Sequence, residues 1–272
     1  MPSEFVIFTD LDGTLLDHKS YSFEVALPAL ELIKSKNIPL VICSSKTRAE
    51  IELYRKLLNN SDPFISENGG GIFIPSTCFS HHFKHDKQVN GYKLIELGTP
   101  HKILIEVLDS IKRDTGLNLS GFSEMTIEEL SEVSGLSREL AELAMMREYD
   151  EPFRIYGNEN DKERVKREII GRGLKHTEGG IFHHIMGDND KGRAAKILIS
   201  LFKHKFPNLK TIGLGDSIND LPMLEAVDVP ILVKKPSGQC DPRINVPNLV
   251  FAQGIGPEGW NNAILNFLEE KL

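Results

Sequence analysis

The chain alternates between short, wholly apolar runs and longer stretches with helical spacing. Residues 5–9 (FVIFT) form an apolar run that fits a buried parallel strand. Residues 23–36 follow with helical periodicity, Val25, Leu27, Leu30, Leu32 and Ile33 forming the inner face. Residues 38–43 (IPLVIC) predict a second strand, 46–60 a helix and 63–66 (PFIS) a third strand. This β-α-β-α-β rhythm predicts an α/β fold, a Rossmann-like, doubly wound parallel sheet with right-handed crossovers. The rhythm returns late, with helices over 191–206, 219–227 and 259–272 and strands over 211–215 and 229–233.

Between these halves the pattern changes. A strand over 92–98, helices over 101–116, 126–134, 137–147 and 161–172, a strand over 152–156 and a hairpin ending at 179–187 predict a separate α+β unit. We place this unit at 84–186, inserted as a cap into a core made of 1–83 and 187–272. Its polar beginning, KHDKQVNG (84–91), reads as a loop.

Composition narrows the function. The 272 residues include 40% apolar and 26% charged residues, an ordinary globular balance, and carry a net charge of −7. That charge disfavours a dedicated nucleic-acid binder or a protein of anionic membranes, while leaving room for a local pocket that takes a small anion. Cys43, Cys78 and Cys240 are too few and too scattered for a disulfide framework or a zinc motif. No apolar run is long enough to span a bilayer, and no leader pattern opens the chain, so the expected location is the cytoplasm.

Candidate chemistry begins where the first strand stops. In an open α/β sheet, ligands bind beyond the carboxyl ends of the strands. Asp10 and Asp12 stand at that position, two like charges that repel each other unless a cation offsets them. Oxygen ligands favour Mg2+. The plainer alternative is a polar turn at a strand end. The segment GLGDSIND (213–220) repeats the arrangement, with Asp216, Asn219 and Asp220 just beyond another apolar strand. Asp220 could equally cap the following helix. Ser44, after the second strand, offers a hydroxyl and a backbone N–H to an anion at a helix N-terminus. Lys191 opens a helix against the direction of its dipole, which makes sense if an anion or the carboxylates face it.

DLDGT at 10–14, Ser44, Lys191 and GDSIND at 215–220, in this order, resemble the haloacid dehalogenase superfamily of phosphohydrolases. The resemblance implies a Rossmann-like core and an aspartyl-phosphate mechanism. Asp10 would be the nucleophile, and Asp12 would protonate the leaving oxygen and then activate water. Ser44 and Lys191 would hold the phosphoryl group. Mg2+ would lie on Asp10, the Asp12 carbonyl and Asp216, supported by Asn219 and Asp220. The insertion resembles the α/β cap of the large-cap members. CSSKTRAE (43–50), ISENGGGIF (65–73), MREYDEPF (146–153), GGIFHHIMGDNDKG (179–192) and LGDSINDLPMLE (214–225) resemble a branch whose substrate is a mannosylated phosphoglycerate. The implied partner is thus a small phosphorylated sugar acid, with no nucleic acid or membrane, for a monomer or homodimer.

The sequence departs from the wider large-cap pattern in two places. SSK (44–46) replaces Thr-Gly-Arg, and GGG (69–71) carries an extra glycine.

Substrate contacts are expected from Lys46, Glu67, Asn68, Gly69 and Arg147. Lys46 and Arg48 could meet a second anion or lie on a solvated helix face. Asn68 could bond hydroxyls or belong to a turn. Arg147, beside Glu148, could clamp a carboxylate or end a helix favourably. Neighbouring strand residues His183 and His184 point to opposite faces and so should not share an ion; one is expected buried and one solvated or touching sugar. A related sugar-phosphate phosphatase, a phosphomutase and a silent ligand-binding regulator are the alternatives.

Overall fold

The computed structural model describes residues 5–179 and 181–271. The first part of the chain runs β1 (Phe5–Thr9), α1 (Leu27–Ser35), β2 (Leu40–Cys43), α2 (Arg48–Leu57), β3 (Phe64–Ser66), β4 (Gly71–Pro75), β5 (Lys87–Val89) and β6 (Tyr92–Glu96). The middle holds α3 (His101–Thr115), β7 (Leu119–Gly121), α4 (Ile127–Ser134), α5 (Arg138–Ala144), β8 (Asp150–Ile155), α6 (Glu159–Gly171), β9 (Lys175–Gly179) and β10 (Phe182–Met186). The last part comprises α7 (Lys191–Lys205), β11 (Lys210–Gly215), α8 (Leu221–Leu224), β12 (Val229–Lys234), β13 (Val250–Ile255) and α9 (Pro257–Lys271).

Nine strands form one sheet in the order β13-β12-β11-β1-β2-β3-β4-β6-β5. Pairing is parallel from β13 to β3 and antiparallel from β3 outward. β1 sits near the middle and is buried along its whole length, so its side chains serve two cores. Phe5 and Ile7 join Ala29 and Ile33 of α1, Ile51 of α2, and Trp260 and Ile264 of α9. Val6 and Phe8 join Ala195 and Leu198 of α7 and Leu224 of α8 on the opposite face. This is the doubly wound arrangement, helices on both faces of a mainly parallel sheet.

A second sheet, β7-β8-β10-β9, is wholly antiparallel. One face packs on α3 and α6 through Leu104, Leu108, Phe153, Val165, Ile169 and Ile185. Phe122, Leu130, Ala141 and Ala144 form a smaller cluster that takes in Phe182 of β10 and belongs to α4 and α5.

Several boundaries differ from the sequence reading. Residues 87–96 belong to the large sheet, because β6 pairs along β4 and buries Leu94 in the first core. The polar stretch expected as a loop therefore contributes β5, an exposed edge strand, which needs no apolar face. β4 was hidden by its opening glycine and β13 by exposed Val250 and Phe251 on another edge. The helix expected at 219–227 shrinks to a 3-10 turn and the four-residue α8, with Pro222 in its first turn.

The chain leaves the large sheet at 97–100 and returns at 187–190, and these two links lie side by side. A Cβ placed on Gly187 would fall 2.5 Å from Thr99 Oγ1. Among the described residues, no helix is long and apolar enough to cross a membrane.

Candidate active site

β1 and β11 are parallel neighbours, so their carboxyl ends deliver Asp10 and Asp216 to the same crevice. Asp10 N donates to Leu214 O at 2.9 Å, fixing that register one residue beyond the last strand pair. Carboxylate oxygens of Asp10, Asp216 and Asp220 all lie within 4.8 Å of one another, and all three residues are buried. Lys191, the first residue of α7, is fully buried between them, with Nζ 2.6 Å from Asp10 Oδ1 and 2.6 Å from Asp220 Oδ1. The second Asp220 oxygen accepts from the backbone of Asp216 (3.0 Å) and Ser217 (3.1 Å), so Asp220 both pairs with the lysine and caps its own turn.

Three buried carboxylates against one ammonium leave negative charge uncompensated. Burial raises Asp10 well above the usual carboxylate range; Lys191 opposes this, while Asp220, Asp216 and Asp12 add to it. Burial, then Asp220, pushes Asp216 up to about 6. Hard oxygen donors carrying excess negative charge fit a divalent cation of the Mg2+ kind. Gly13 permits the tight turn behind them: its φ is +76°, and a Cβ would stand 3.1 Å from Asp216 Oδ2.

The strand end is braced by groups that the sequence pattern did not reveal. Trp260 Nε1, from α9, donates to Thr9 Oγ1 at 3.0 Å, and Thr9 Oγ1 donates to Asp10 O at 2.7 Å. The only tryptophan of the chain, fully buried, was the available signal.

Asp12 stands apart from the carboxylate cluster, about a third of its side chain exposed, with Lys46 Nζ 3.1 Å from its Oδ1. Lys46 is buried, lies 3.4 Å from Glu50, and has the rings of Tyr21 and Tyr54 beneath its ammonium. Burial lowers its proton affinity, but Asp12 and Glu50 outweigh that and the lysine stays charged. Ser44 does not stand at a helix N-terminus. Helix α2 begins at Arg48 behind a Thr47–Glu50 capping box. The Ser44 N–H is committed to Ile65 O at 3.0 Å, leaving only its hydroxyl for an anion.

Glu67, Asn68 and Gly69 form a run of left-handed backbone, with φ of 46°, 53° and 90°. Gly69 is dictated by close approach, since a Cβ would fall 2.1 Å from Asp190 O. Asn68 Oδ1 accepts from Asn219 Nδ2 at 3.2 Å, which turns Asn219 toward Asn68. Asn189, another buried side chain missed in the sequence, donates to the carbonyls of Glu67 and Asn68 at 3.2 and 3.3 Å. Glu67 faces the inserted unit, its carboxyl accepting from the backbone N–H groups of Glu148 (2.9 Å) and Tyr149 (2.8 Å).

Arg147 is also turned inward. Its guanidinium donates to Ala144 O, to Ser45 O at 3.0 Å and to Asp150 Oδ2 at 3.4 Å. The Ser45 contact joins the two units and the other two hold the guanidinium in place, so the structure does not present Arg147 to a substrate carboxylate. Arg48 does the same on the surface, 3.3 Å from Glu148 Oε2. Tyr149 accounts for the extra glycine: a Cβ on Gly70 or Gly98 would meet Tyr149 Cβ at 2.4 or 2.6 Å, and one on Gly71 would meet its ring at 2.9 Å.

His183 and His184 point to opposite faces, as expected. His184 Nδ1 lies 2.8 Å from Asp150 Oδ2 and His183 Nδ1 lies 3.0 Å from His176 Nε2, and both side chains are largely enclosed, so neither is solvated.

Glu67 carries a pH dependence. Burial pushes its carboxyl up to about 8, against the opposing pull of Arg147. An acid that binds its proton more tightly when folded takes one up on folding, so its contribution weakens as pH rises from the ordinary carboxylate range toward that value. Urea midpoints should therefore fall across this interval, and Glu67→Gln should flatten the profile. Parallel profiles for the two proteins would assign the pH dependence to another group.

Residues 7–239 match the haloacid dehalogenase-like hydrolase family. The chain belongs to that family. It is a phosphoric monoester hydrolase, close in sequence to mannosyl-3-phosphoglycerate phosphatases. It is 50% identical over 263 residues to a glucosyl-3-phosphoglycerate/mannosyl-3-phosphoglycerate phosphatase of Methanococcoides burtonii, covering 97% of each chain. A protein of the same description from Persephonella marina is 41% identical, again over 97% of each chain. A mannosyl-3-phosphoglycerate phosphatase of Pyrococcus furiosus is 38% identical over 84% of this chain and 90% of its own. Among solved structures, a haloacid dehalogenase-like hydrolase from Bacteroides thetaiotaomicron superposes with a TM-score of 0.66 at 16% identity, covering 96% of this chain and 98% of that one. A Thermoplasma acidophilum protein gives 0.64 at 18%, covering 97% of each chain. These structural likenesses establish the shared fold.

Proposed function

We propose that the chain hydrolyses the phosphate monoester of a glycosyl-3-phosphoglycerate, taking the mannosyl and glucosyl compounds alike. The observation that carries this reading is the 50% identity, over nearly the whole of both chains, to a relative described by both activities. The geometry supports the chemistry. A phosphoryl group in transfer carries dispersed negative charge, so catalysis rests on positioning and charge stabilisation.

Asp10 is the attacking carboxylate. Lys191 grips its Oδ1 and fixes its orientation, leaving Oδ2 to approach phosphorus. The attack forms an acyl phosphate on Asp10 and expels the glycerate oxygen, which takes its proton from Asp12. Asp12 then accepts a proton from the water that opens the acyl phosphate. The Ser44 hydroxyl and Lys191 hold the phosphoryl oxygens. Mg2+, held by Asp10, the Asp12 carbonyl and Asp216 with Asp220 and Asn219 behind them, would supply charge neutralisation at the phosphate.

Lys46 replaces Arg147 as the group for the substrate carboxylate. It sits beside Asp12 at the crevice, and moving to an incoming anion would release Asp12 to carry its proton. Glu67, Asn68 and Gly69 shape the mouth. The unit between the two links acts as the cap that excludes water.

The test is phosphate release from mannosyl- and glucosyl-3-phosphoglycerate with Mg2+, beside 3-phosphoglycerate and hexose phosphates. The expected result is the highest kcat/KM on the two glycosyl compounds, abolished by a chelator and restored by Mg2+. A higher value on plain hexose phosphates would replace the substrate assignment, and turnover indifferent to chelation would remove the cation.

A further inference from the structure

The outer hairpin of the inserted unit carries a second set of metal-ligand side chains. In the β9–β10 ladder, Glu178 stands directly opposite His183, and His176 lies two residues from Glu178 on the same face. Their side chains converge. His176 Nε2 is 3.0 Å from His183 Nδ1, Glu178 Oε1 is 3.8 Å from His183 Nδ1, and one ligand atom from each lies within 4.8 Å of the others. We infer that His176, Glu178 and His183 bind one transition-metal ion of the zinc type, independently of the carboxylate crevice.

Two imidazoles and one carboxylate are a recurrent zinc donor set, and they leave a fourth position for water. Zn–N distances of about 2.0–2.1 Å put two ligand nitrogens roughly 3.3 Å apart in a tetrahedral site, so the present pair needs only a slight opening. Nitrogen donors select Zn2+, Co2+ or Ni2+ over Mg2+, which separates this set chemically from the three aspartates.

The surroundings are compatible. The Phe153 ring packs on His183 with centroids 5.7 Å apart and limits its rotation. Glu178 is exposed and opens the set to solvent. The cations that approach from α6 are already paired, Lys162 with Glu159 at 2.5 Å and Lys166 with Glu163 at 3.4 Å. Arg154 of β8 and Lys162 share the nearby surface pocket with Glu178 and His183. Burial keeps both imidazoles less basic than usual, His176 near 4, so each is neutral and able to ligate at neutral pH. Without the ion the two rings share one proton. On binding, that proton moves to the far nitrogen of its ring, and the shared position passes to the metal. The bound ion would tie β9 to β10, whose end leads directly into the return link at 187–190.

The experiment titrates Zn2+ into the full chain held in excess Mg2+, read by calorimetry, and adds Co2+ in parallel, read by visible absorption. One Zn2+ should bind beyond the Mg2+ occupancy. It should be lost in the double variant His176→Gln/His183→Gln and kept in His184→Gln, whose imidazole faces Asp150 on the other side of the sheet. Co2+ should give the intense bands of a low-coordinate nitrogen-containing site, a readout that needs no variant. Undiminished Zn2+ binding by the folded double variant, or only the weak bands of six oxygen ligands for Co2+, would overturn the assignment. None of these readings uses a phosphate ester, so the inference stands or falls separately from the proposed reaction.

Discussion

Asp10→Asn is expected to lower phosphate release by at least roughly 10⁴-fold while leaving the chain folded. Asparagine matches aspartate in shape but has no anionic oxygen to attack phosphorus. Stability should hold or rise. Asp10 is a buried carboxylate crowded by Asp216 and Asp220, and its removal relieves repulsion while Lys191 retains Asp220 at 2.6 Å. Single-turnover phosphate release and a thermal melt on the same preparation separate the two effects. Near-normal release would remove Asp10 from the attacking role. Lost release together with a collapsed melt would make the effect structural.

Lys191→Met should have the opposite balance. Lys191 lies between two buried carboxylates, and its removal leaves both without their ammonium partner. Breaking a buried pair from one side typically costs about 3–5 kcal/mol. With the lysine gone, the Asp10 carboxyl, which Lys191 now holds down against burial, must hold its proton more tightly in the folded chain. The loss of stability should therefore deepen as pH rises. A divalent cation that binds only the folded form should restore part of it by mass action. Urea midpoints with and without Mg2+, at mildly acidic and mildly alkaline pH, measure both effects, alongside loss of turnover. A midpoint matching the native chain without Mg2+ would mean that the ammonium does not hold the cluster together.

The parallel half of the fold was legible because buried strands such as β1 and β2 are largely apolar runs, and each ends on residues of the candidate site. The acidic motifs could be paired across two hundred residues because both follow such strands and the topology places those strands side by side. Edge strands were not legible in the same way. β5 and β13 expose much of their surface, so no hydrophobic pattern distinguished them from loops. Side-chain direction was the larger gap. Glu67 and Arg147 have the chemistry of substrate contacts, yet each is engaged by backbone groups of the other unit, contributed by residues eighty to a hundred positions away, and Arg147 also by Ala144 and Asp150 of its own. Tyr149 and its glycine floor share that difficulty, since Gly70, Gly71 and Gly98 become intelligible only once the ring is seen lying over them.

The two links between the sheets run against each other, and that adjacency works like the pin of a door. Two adjacent links of this kind would resist sliding of the unit more than rotation about the pin. Its fastening is concentrated on one short stretch, residues 143–149: Leu143 O accepts from Thr47, Arg147 donates to Ser45 O, Glu148 pairs with Arg48, and Tyr149 occupies its socket. Any opening of the unit would have to break these contacts. The residues of this latch are distinct from Asp10, Asp216 and Asp220, so the fastening of the unit and the carboxylate crevice can be altered by separate substitutions.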